Sequence, residues 1–193
     1  MCEHLNVPEK IPTQRLILRR AHISDADSIF REYAQDEDVA RYMTWRPHSS
    51  AIETEEFLRG CIDRWNNGTE YSWSITLAGD DRTVGMISVR MHGHVAEIGY
   101  VLTRRLRNTG LMTEAMAALV TWLRQQPGIY RISAFCDVDN PASARVMEKS
   151  GLTREGIFRR WVVHPNISAE PRDCFVYAKI CDRPQTQSLS TVI

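Results

Sequence analysis

The stretch from Ala96 to Ala115 constrains this fold more than any other part of the chain. Ala96-Glu97-Ile98-Gly99-Tyr100-Val101-Leu102 reads as a strand. Arg105-Leu106-Arg107-Asn108-Thr109-Gly110 reads as a basic polar loop with one glycine, and the run from Leu111 onward as a strongly amphipathic helix. A strand feeding a short loop and then a helix gathers backbone N–H groups and the positive end of a helix dipole around one point, which suits a phosphate. No Gly-Lys-Ser/Thr occurs in the chain, and the three-glycine spacing of a dinucleotide fold is missing, so neither of those phosphate loops is present.

The flanking segments supply the rest of a mixed α/β plan. Leu16 to Arg20 predicts a first strand, and Ser24, Asp25 and Asp27 open a helix that runs to about Ala34. A second helix is expected from Ile52 to Asn66, with Thr54, Leu58, Cys61, Ile62 and Trp65 on one face and Asn67-Gly68 as its stop. Alternation of Tyr71, Trp73, Ile75 and Leu77 predicts a half-buried strand. Turns at Ala78–Arg82 and around Gly93 then lead through Val84–Arg90 and Val95–Leu102 as an antiparallel meander.

Beyond the basic loop, Met112, Ala115, Met116, Leu119, Trp122 and Leu123 form the apolar stripe of a helix that Pro127-Gly128 ends. Ile129–Asp137 reads as a strand. Asn140-Pro141 opens a short helix that Gly151 closes, and Leu152–Val163 with Asp173–Cys181 form a last strand pair. The order β-α-α-β-β-β-α-β-α-β-β predicts one α/β sheet with helices on both faces. Residues 13–181 are expected as a single domain, with 1–12 and 182–193 as weakly ordered tails.

Composition narrows the function by exclusion. Lys+Arg and Asp+Glu both number 24, which gives no electrostatic reason to expect nucleic acid or an anionic membrane as a partner. No apolar run approaches the ~18 residues of a membrane span, and the opening residues lack the pattern of a secretory signal. Five unpatterned cysteines read as reduced thiols in a cytoplasm, each a buried filler before it is a nucleophile. His92-Gly93-His94 lacks further ligands at a metal spacing, so a solvated hairpin turn is expected there and no metal. A homodimer is compatible with this composition.

In element order and in several segments the chain resembles the GNAT superfamily of N-acetyltransferases, and within it the RimJ/RimL branch that acetylates ribosomal-protein N-termini. The resemblance rests on Thr13 to Arg19, on Arg41 to His48, on Glu97-Ile98-Gly99-Tyr100, on the Arg-x-x-Asn-x-Gly loop and on Asp139 to Leu152, with Glu155-Gly156 after them. The family loop usually reads Gln/Arg-x-x-Gly-x-Gly/Ala, so Asn108 replaces a glycine; asparagine tolerates positive φ better than most residues. In the late strand the ribosomal-protein enzymes of that branch carry a carboxylate proposed as base, where this chain reads Arg160-Trp161-Val162-Val163.

The resemblance implies a GNAT-like, mostly antiparallel central sheet and direct attack of a neutral primary amine on acetyl-CoA, the cosubstrate. Backbone groups of Tyr100, Val101 and Leu102 would meet the pantetheine. The loop of Arg105, Arg107, Asn108, Thr109, Gly110, Leu111 and Met112 would hold the pyrophosphate, the two arginines otherwise being solvated. Asn140 would contact the cofactor arm as well as cap its helix. Ser143 would protonate the departing thiolate, its plainer role being a polar first-turn residue. Glu97 is the candidate base, weighed against an ion pair with a nearby arginine, with Asp137 and Asp139 as weaker rivals. Trp45, Arg46 and His48 would shape the acceptor mouth or simply pack their loop.

The expected activity is therefore acetyl transfer from acetyl-CoA to a protein N-terminus or a small-molecule amine. An α-amine with pKa ~7.7–8.0 is partly neutral at pH 7, unlike lysine at ~10.4, and needs only a weak base. A non-catalytic acyl-CoA-binding protein of the same fold is the alternative, and a nucleotide-binding enzyme ranks behind it.

Overall fold

The computed structural model describes residues 5–181. Eight strands form one sheet in the order β1-β2-β3-β4-β5-β6-β8-β7. They are β1 Lys10–Pro12, β2 Leu16–Arg20, β3 Glu70–Leu77, β4 Thr83–His92, β5 Val95–Leu102, β6 Arg131–Asp137, β7 Thr153–Val162 and β8 Arg172–Ile180. Every neighbouring pair is antiparallel except β5 and β6, which run parallel. A parallel pair needs a crossover. Here the crossover is α4, Leu111–Leu123, entered through the basic loop.

Helices cover both faces, as expected. On one face α4 buries Leu111, Met112, Ala115, Met116, Leu119, Val120 and Leu123 against Leu16, Leu18, Trp73, Ile75, Ile87 and Ile98. The short α5, Pro141–Lys149, adds Ala144 and Met147 to the same core. On the other face α1 (Ala26–Ile29) and α3 (Ala51–Asn66) pack Ile29, Leu58 and Cys61 on Met86. A full side chain of this kind is worth roughly 1.5–3 kcal/mol buried, so α4 is the main anchor of the domain.

Three features depart from the sequence expectations. Lys10–Pro12 is not a loose tail: it pairs with β2, and Trp73 Nε1 donates to Pro8 O at 2.9 Å. Three residues ending in proline carry no local strand signal, and proline is tolerated there because β1 is an edge. The first helix is compound, a 3-10 turn at Ile23–Asp25, then α1, then a π-helical turn at Phe30–Ala34. A further short helix, α2 at Glu37–Ala40, follows under the Asp36 cap. Expected residues 1–4 and 182–193 of the two tails lie outside the described residues.

Candidate active site

The parallel pair is incomplete, and that opens the site. Pairing of β5 with β6 covers Val95, Ala96 and Glu97 and then stops, while pairing of β5 with β4 continues to Leu102. From Ile98 to Leu102 the β6-facing edge of β5 therefore has no strand partner among the described residues. β5 also closes tightly on β4 at this level, where a Cβ added to Gly85 would sit 2.5 Å from Val101 O. Glycine at 85 permits that approach. The splay forms a cleft of about 520 Å³ whose walls include Gly99, Tyr100 and Val101 on one side and Phe135, Cys136 and Ser143 on the other. Leu102 is not part of that lining. Gly99 is regularly paired with Ser88, so it is the missing register with β6, not the glycine, that frees the edge.

The basic loop lies just beyond β5. Asn108 adopts φ 63°, as its replacement of a glycine requires, and Gly110 at φ 80° is the N-cap of α4 with no side chain capping the helix. The first-turn N–H groups of a 13-residue helix are thus left to an external acceptor. Arg15, which the sequence gave no reason to single out, braces the loop: Nη1 donates to Thr109 O at 3.1 Å and Nε to Glu114 Oε2 at 2.7 Å. Arg105 and Arg107 are turned elsewhere. Arg105 makes a two-pronged pair with Glu32 at 2.8 and 3.1 Å, and Arg107 Nη2 donates to Asp38 O at 3.0 Å. Neither guanidinium is simply solvated, and the π-helical turn is what brings Glu32 to Arg105.

Across the cleft, Asn140 caps α5 by accepting from Ser143 N at 3.2 Å. Ser143 Oγ lies 2.7 Å from Tyr100 Oη, which also donates to Ser143 O at 3.1 Å. The sequence offered Tyr100 only as backbone, so its phenol is a partner that reasoning missed. Burial raises the Tyr100 phenol well above its ordinary pKa, with the Ser143 bond pulling the other way. Burial, reinforced by Cys174, pushes the Cys136 thiol up to about 12, which disfavours the thiolate.

The carboxylates divide into two groups. Glu97 lines the cleft with its side chain 24% exposed and Arg90 Nη1 3.5 Å away. Glu70, unremarked in the sequence, is buried on the other side of Arg90 and pairs with Arg64 at 3.0 Å and Arg90 at 3.2 Å. Asp137 and Asp139 are instead clamped by Arg172, at 2.5 and 2.6 Å. Burial pushes the Asp137 carboxyl up, but the Arg172 hydrogen bonds and the Asp139 N–H outweigh it and hold it low. Arg172 leaves both unsuited as bases.

The expected mouth is split. Trp45 lines the cleft with Tyr42 and Phe57. His48 sits behind Trp45, ring centroids 5.4 Å apart, and bonds to Thr54 Oγ1 at 2.8 Å; burial lowers its pKa. Arg46 is exposed and outside the lining. The segment is held from a distance: Asn166 Nδ2, which the sequence did not flag, donates to Ala40 O at 2.7 Å and Trp45 O at 2.8 Å, and Tyr42 Oη donates to Asp139 O at 2.7 Å. His92-Gly93-His94 forms the β4–β5 hairpin turn, and among the described residues no three metal-ligating side chains converge.

Comparison with known proteins gives the same picture. The GNAT acetyltransferase domain profile matches residues 15–153. The uncharacterized N-acetyltransferase YnaD of Bacillus subtilis is 28% identical over 158 residues, 81% of this chain and 89% of that one. The ribosomal protein uS5-alanine N-acetyltransferase of Escherichia coli is 24% identical over 82% of this chain and 86% of its own. Among solved structures, RimL, the ribosomal L7/L12 alpha-N-protein acetyltransferase in complex with coenzyme A, superposes with a TM-score of 0.80 at 25% identity, covering 90% of this chain and 99% of that one. With an interrupted β5–β6 pair, an uncapped α4 and a profile match over most of its length, this chain belongs to the GNAT family of acyl-CoA-dependent N-acetyltransferases.

Proposed function

We propose that the cleft between β5 and β6 is the acyl-transfer site, with the unpaired edge of β5 as the track for the pantetheine amides and the α4 N-terminus as the pyrophosphate seat. The observation that carries this reading is the coincidence of the two: the edge that loses its partner at Ile98 leads directly into the loop whose N–H groups no side chain caps. Acetyl-CoA supplies the activated acetyl thioester. Glu97 takes a proton from the acceptor ammonium, directly or through a water, so that the free amine can attack. The N–C bond then forms, the C–S bond breaks, and the amine's second proton is released. Ser143, held by Tyr100, delivers a proton to the thiolate and recovers one from solvent. Trp45 and its neighbours frame the acceptor.

The acceptor in this reading is a primary amine. Relatives named for ribosomal-protein alanine or L7/L12 support an α-amine, whereas Trp161 and its neighbours in place of the expected late-strand carboxylate do not favour a ribosomal substrate. Buried Cys61, Cys136 and Cys174, none in a disulfide, support a reducing, cytoplasmic setting. No helix of the described residues is long and apolar enough to cross a membrane.

The decisive test is acetyl-CoA binding by Gly110→Asp. The substitution sets bulk and negative charge at the helix N-terminus, and calorimetry should show binding lost while circular dichroism shows the fold retained. Unchanged affinity in the folded variant would remove the loop from the site. Gly110→Ala, which carries the same positive-φ strain without the charge, separates a conformational from an electrostatic effect.

A further inference from the structure

The acceptor end of the cleft carries four charged side chains from four elements: Arg64 of α3, Glu70 of β3, Arg90 of β4 and Glu97 of β5. Register sets three of them in one cross-strand row, with Glu70 opposite Arg90 and Arg90 opposite Glu97. The formal charges cancel, but the exposures do not. Glu70 and Glu97 side chains are 10% and 24% exposed, against 41% and 53% for Arg64 and Arg90. All four line the cleft, and the guanidiniums are the more exposed groups.

Among the described residues those guanidiniums are under-used. Each offers five N–H donors. Arg90 donates through Nη2 to Glu70 at 3.2 Å, and Arg64 through Nη2 to Cys61 Sγ at 3.4 Å. Arg64 Nε is buried and close to Glu70 but finds no hydrogen-bond geometry there. One carboxylate beside the splay, Glu97, has a single and distant cationic partner among the described residues, at 3.5 Å.

This pattern selects among amines. A polyamine would bring its second cation against two exposed guanidiniums and be repelled. A peptide N-terminus would offer them only a neutral amide. An amine with its own carboxylate leaves the row neutral, because its ammonium meets Glu97 and its carboxylate meets the spare donors of Arg90 and Arg64. Arg90 Nη1 lies only 3.5 Å from Glu97 Oε1, so an acceptor that meets both must carry its ammonium and carboxylate side by side, as an α-amino acid does. Trp45, Phe57 and Met86 line the same cleft with apolar surface for its side chain.

We propose that the acceptor is a free amino acid bound as its zwitterion, its carboxylate held by Arg90 and Arg64 and its ammonium presented to Glu97. The assignment rests on the acyl-transfer reading above and specifies its acceptor. A neighbouring carboxylate keeps such an amine more basic than a chain N-terminus, so Glu97 has a proton to remove.

The test measures CoA thiol release from acetyl-CoA with the twenty amino acids, each as free acid and as carboxamide, alongside dipeptides sharing the N-terminal residue and spermidine. At least one free acid should be turned over with kcat/KM ~10–150-fold above its amide, the worth of a hydrogen bond between charged groups. Arg90→Gln, and separately the more peripheral Arg64→Gln, should lower kcat/KM for the acid and shrink the acid-to-amide ratio. Amides, dipeptides or spermidine turned over as well as the acid would overturn the proposal and leave the acyl-transfer reading standing. So would a protein that binds acetyl-CoA and acetylates no free amino acid. Failure to bind acetyl-CoA at all would remove both.

Discussion

Tyr100 Oη and Ser143 Oγ share a 2.7 Å hydrogen bond across the cleft, tying the free edge of β5 to the first turn of α5. The pair spans the gap that the missing β5–β6 register leaves. In the proposed mechanism, proton delivery at this point belongs to the two hydroxyls jointly. Ser143→Ala and Tyr100→Phe should each lower kcat by up to ~10²-fold, the low end for general acid catalysis. A thiol with pKa ~8.5 leaves with little help, which keeps the loss small. Acetyl-CoA affinity should hardly change, and the double variant should lose little more than either single one, as expected for groups acting as a unit. Equal losses of affinity and turnover would make the pair a binding device.

Asn108 provides a stability prediction. At φ 63° it occupies the left-handed region, which costs an L-residue roughly 1–2 kcal/mol. Asn108→Gly should be neutral or raise the melting temperature slightly, whereas Asn108→Val should lower it, with the loop rather than the core responsible. Calorimetric melting of both variants checks the sign. Destabilisation by glycine would mean that the asparagine side chain, not its backbone, is what the loop requires.

That loop was legible because its signals are local. Glycine at a helix start, asparagine in its place two residues earlier and the apolar stripe of α4 are all written within about twenty residues of sequence. Asn140 and Ser143 were legible for the same reason, as cap and third residue of one short helix. What sequence reasoning missed is cross-strand. Glu70 becomes a cleft residue only because β3 sets it opposite Arg90, and Arg105 becomes a partner of Glu32 only through a π-helical turn whose pattern does not differ from an α-helix. Asp137 looked available until Arg172, 35 residues away, was brought beside it by β8.

Asp25 should govern the acid limb of stability. Its carboxylate is 3% exposed, accepts from both Nη atoms of Arg19 at 2.6 and 2.9 Å, and takes Ser74 Oγ at 2.8 Å and Thr83 Oγ1 at 3.0 Å. Burial pushes its pKa up, but the Arg19 pair and the His22 and Ser74 hydrogen bonds win and hold it below the ordinary value. A carboxyl depressed in the folded state contributes stability that is fully present above its unfolded pKa of ~3.9 and is lost as pH falls through the folded value. Urea unfolding between pH 7 and pH 3 should therefore show stability falling below about pH 4. Asp25→Asn should cost ~3–5 kcal/mol at pH 7, since Arg19 loses its buried partner, and should flatten that acid limb. An unchanged acid limb in the variant would assign it to other carboxylates, Asp137 first.

Glu97 is where architecture and chemistry must be told apart. Arg90 is its only ion-pair partner among the described residues, at 3.5 Å, and Arg90 is itself held by Glu70. A half-exposed pair of this kind is worth ~0–1 kcal/mol, so Glu97→Gln should leave the melting temperature almost unchanged. Turnover should nevertheless fall by ~10²–10⁴-fold, the range for general-base catalysis. The deficit should shrink as pH rises, because more of the acceptor amine is then neutral without help. A purely structural role predicts the reverse pair of results, a lowered melting temperature and a turnover deficit that does not respond to pH. The pH–rate profile and the melting curve are therefore measured on the same variant. Full activity with a lowered melting temperature would leave Glu97 a sheet-bracing residue, and the proton would have to leave by another route.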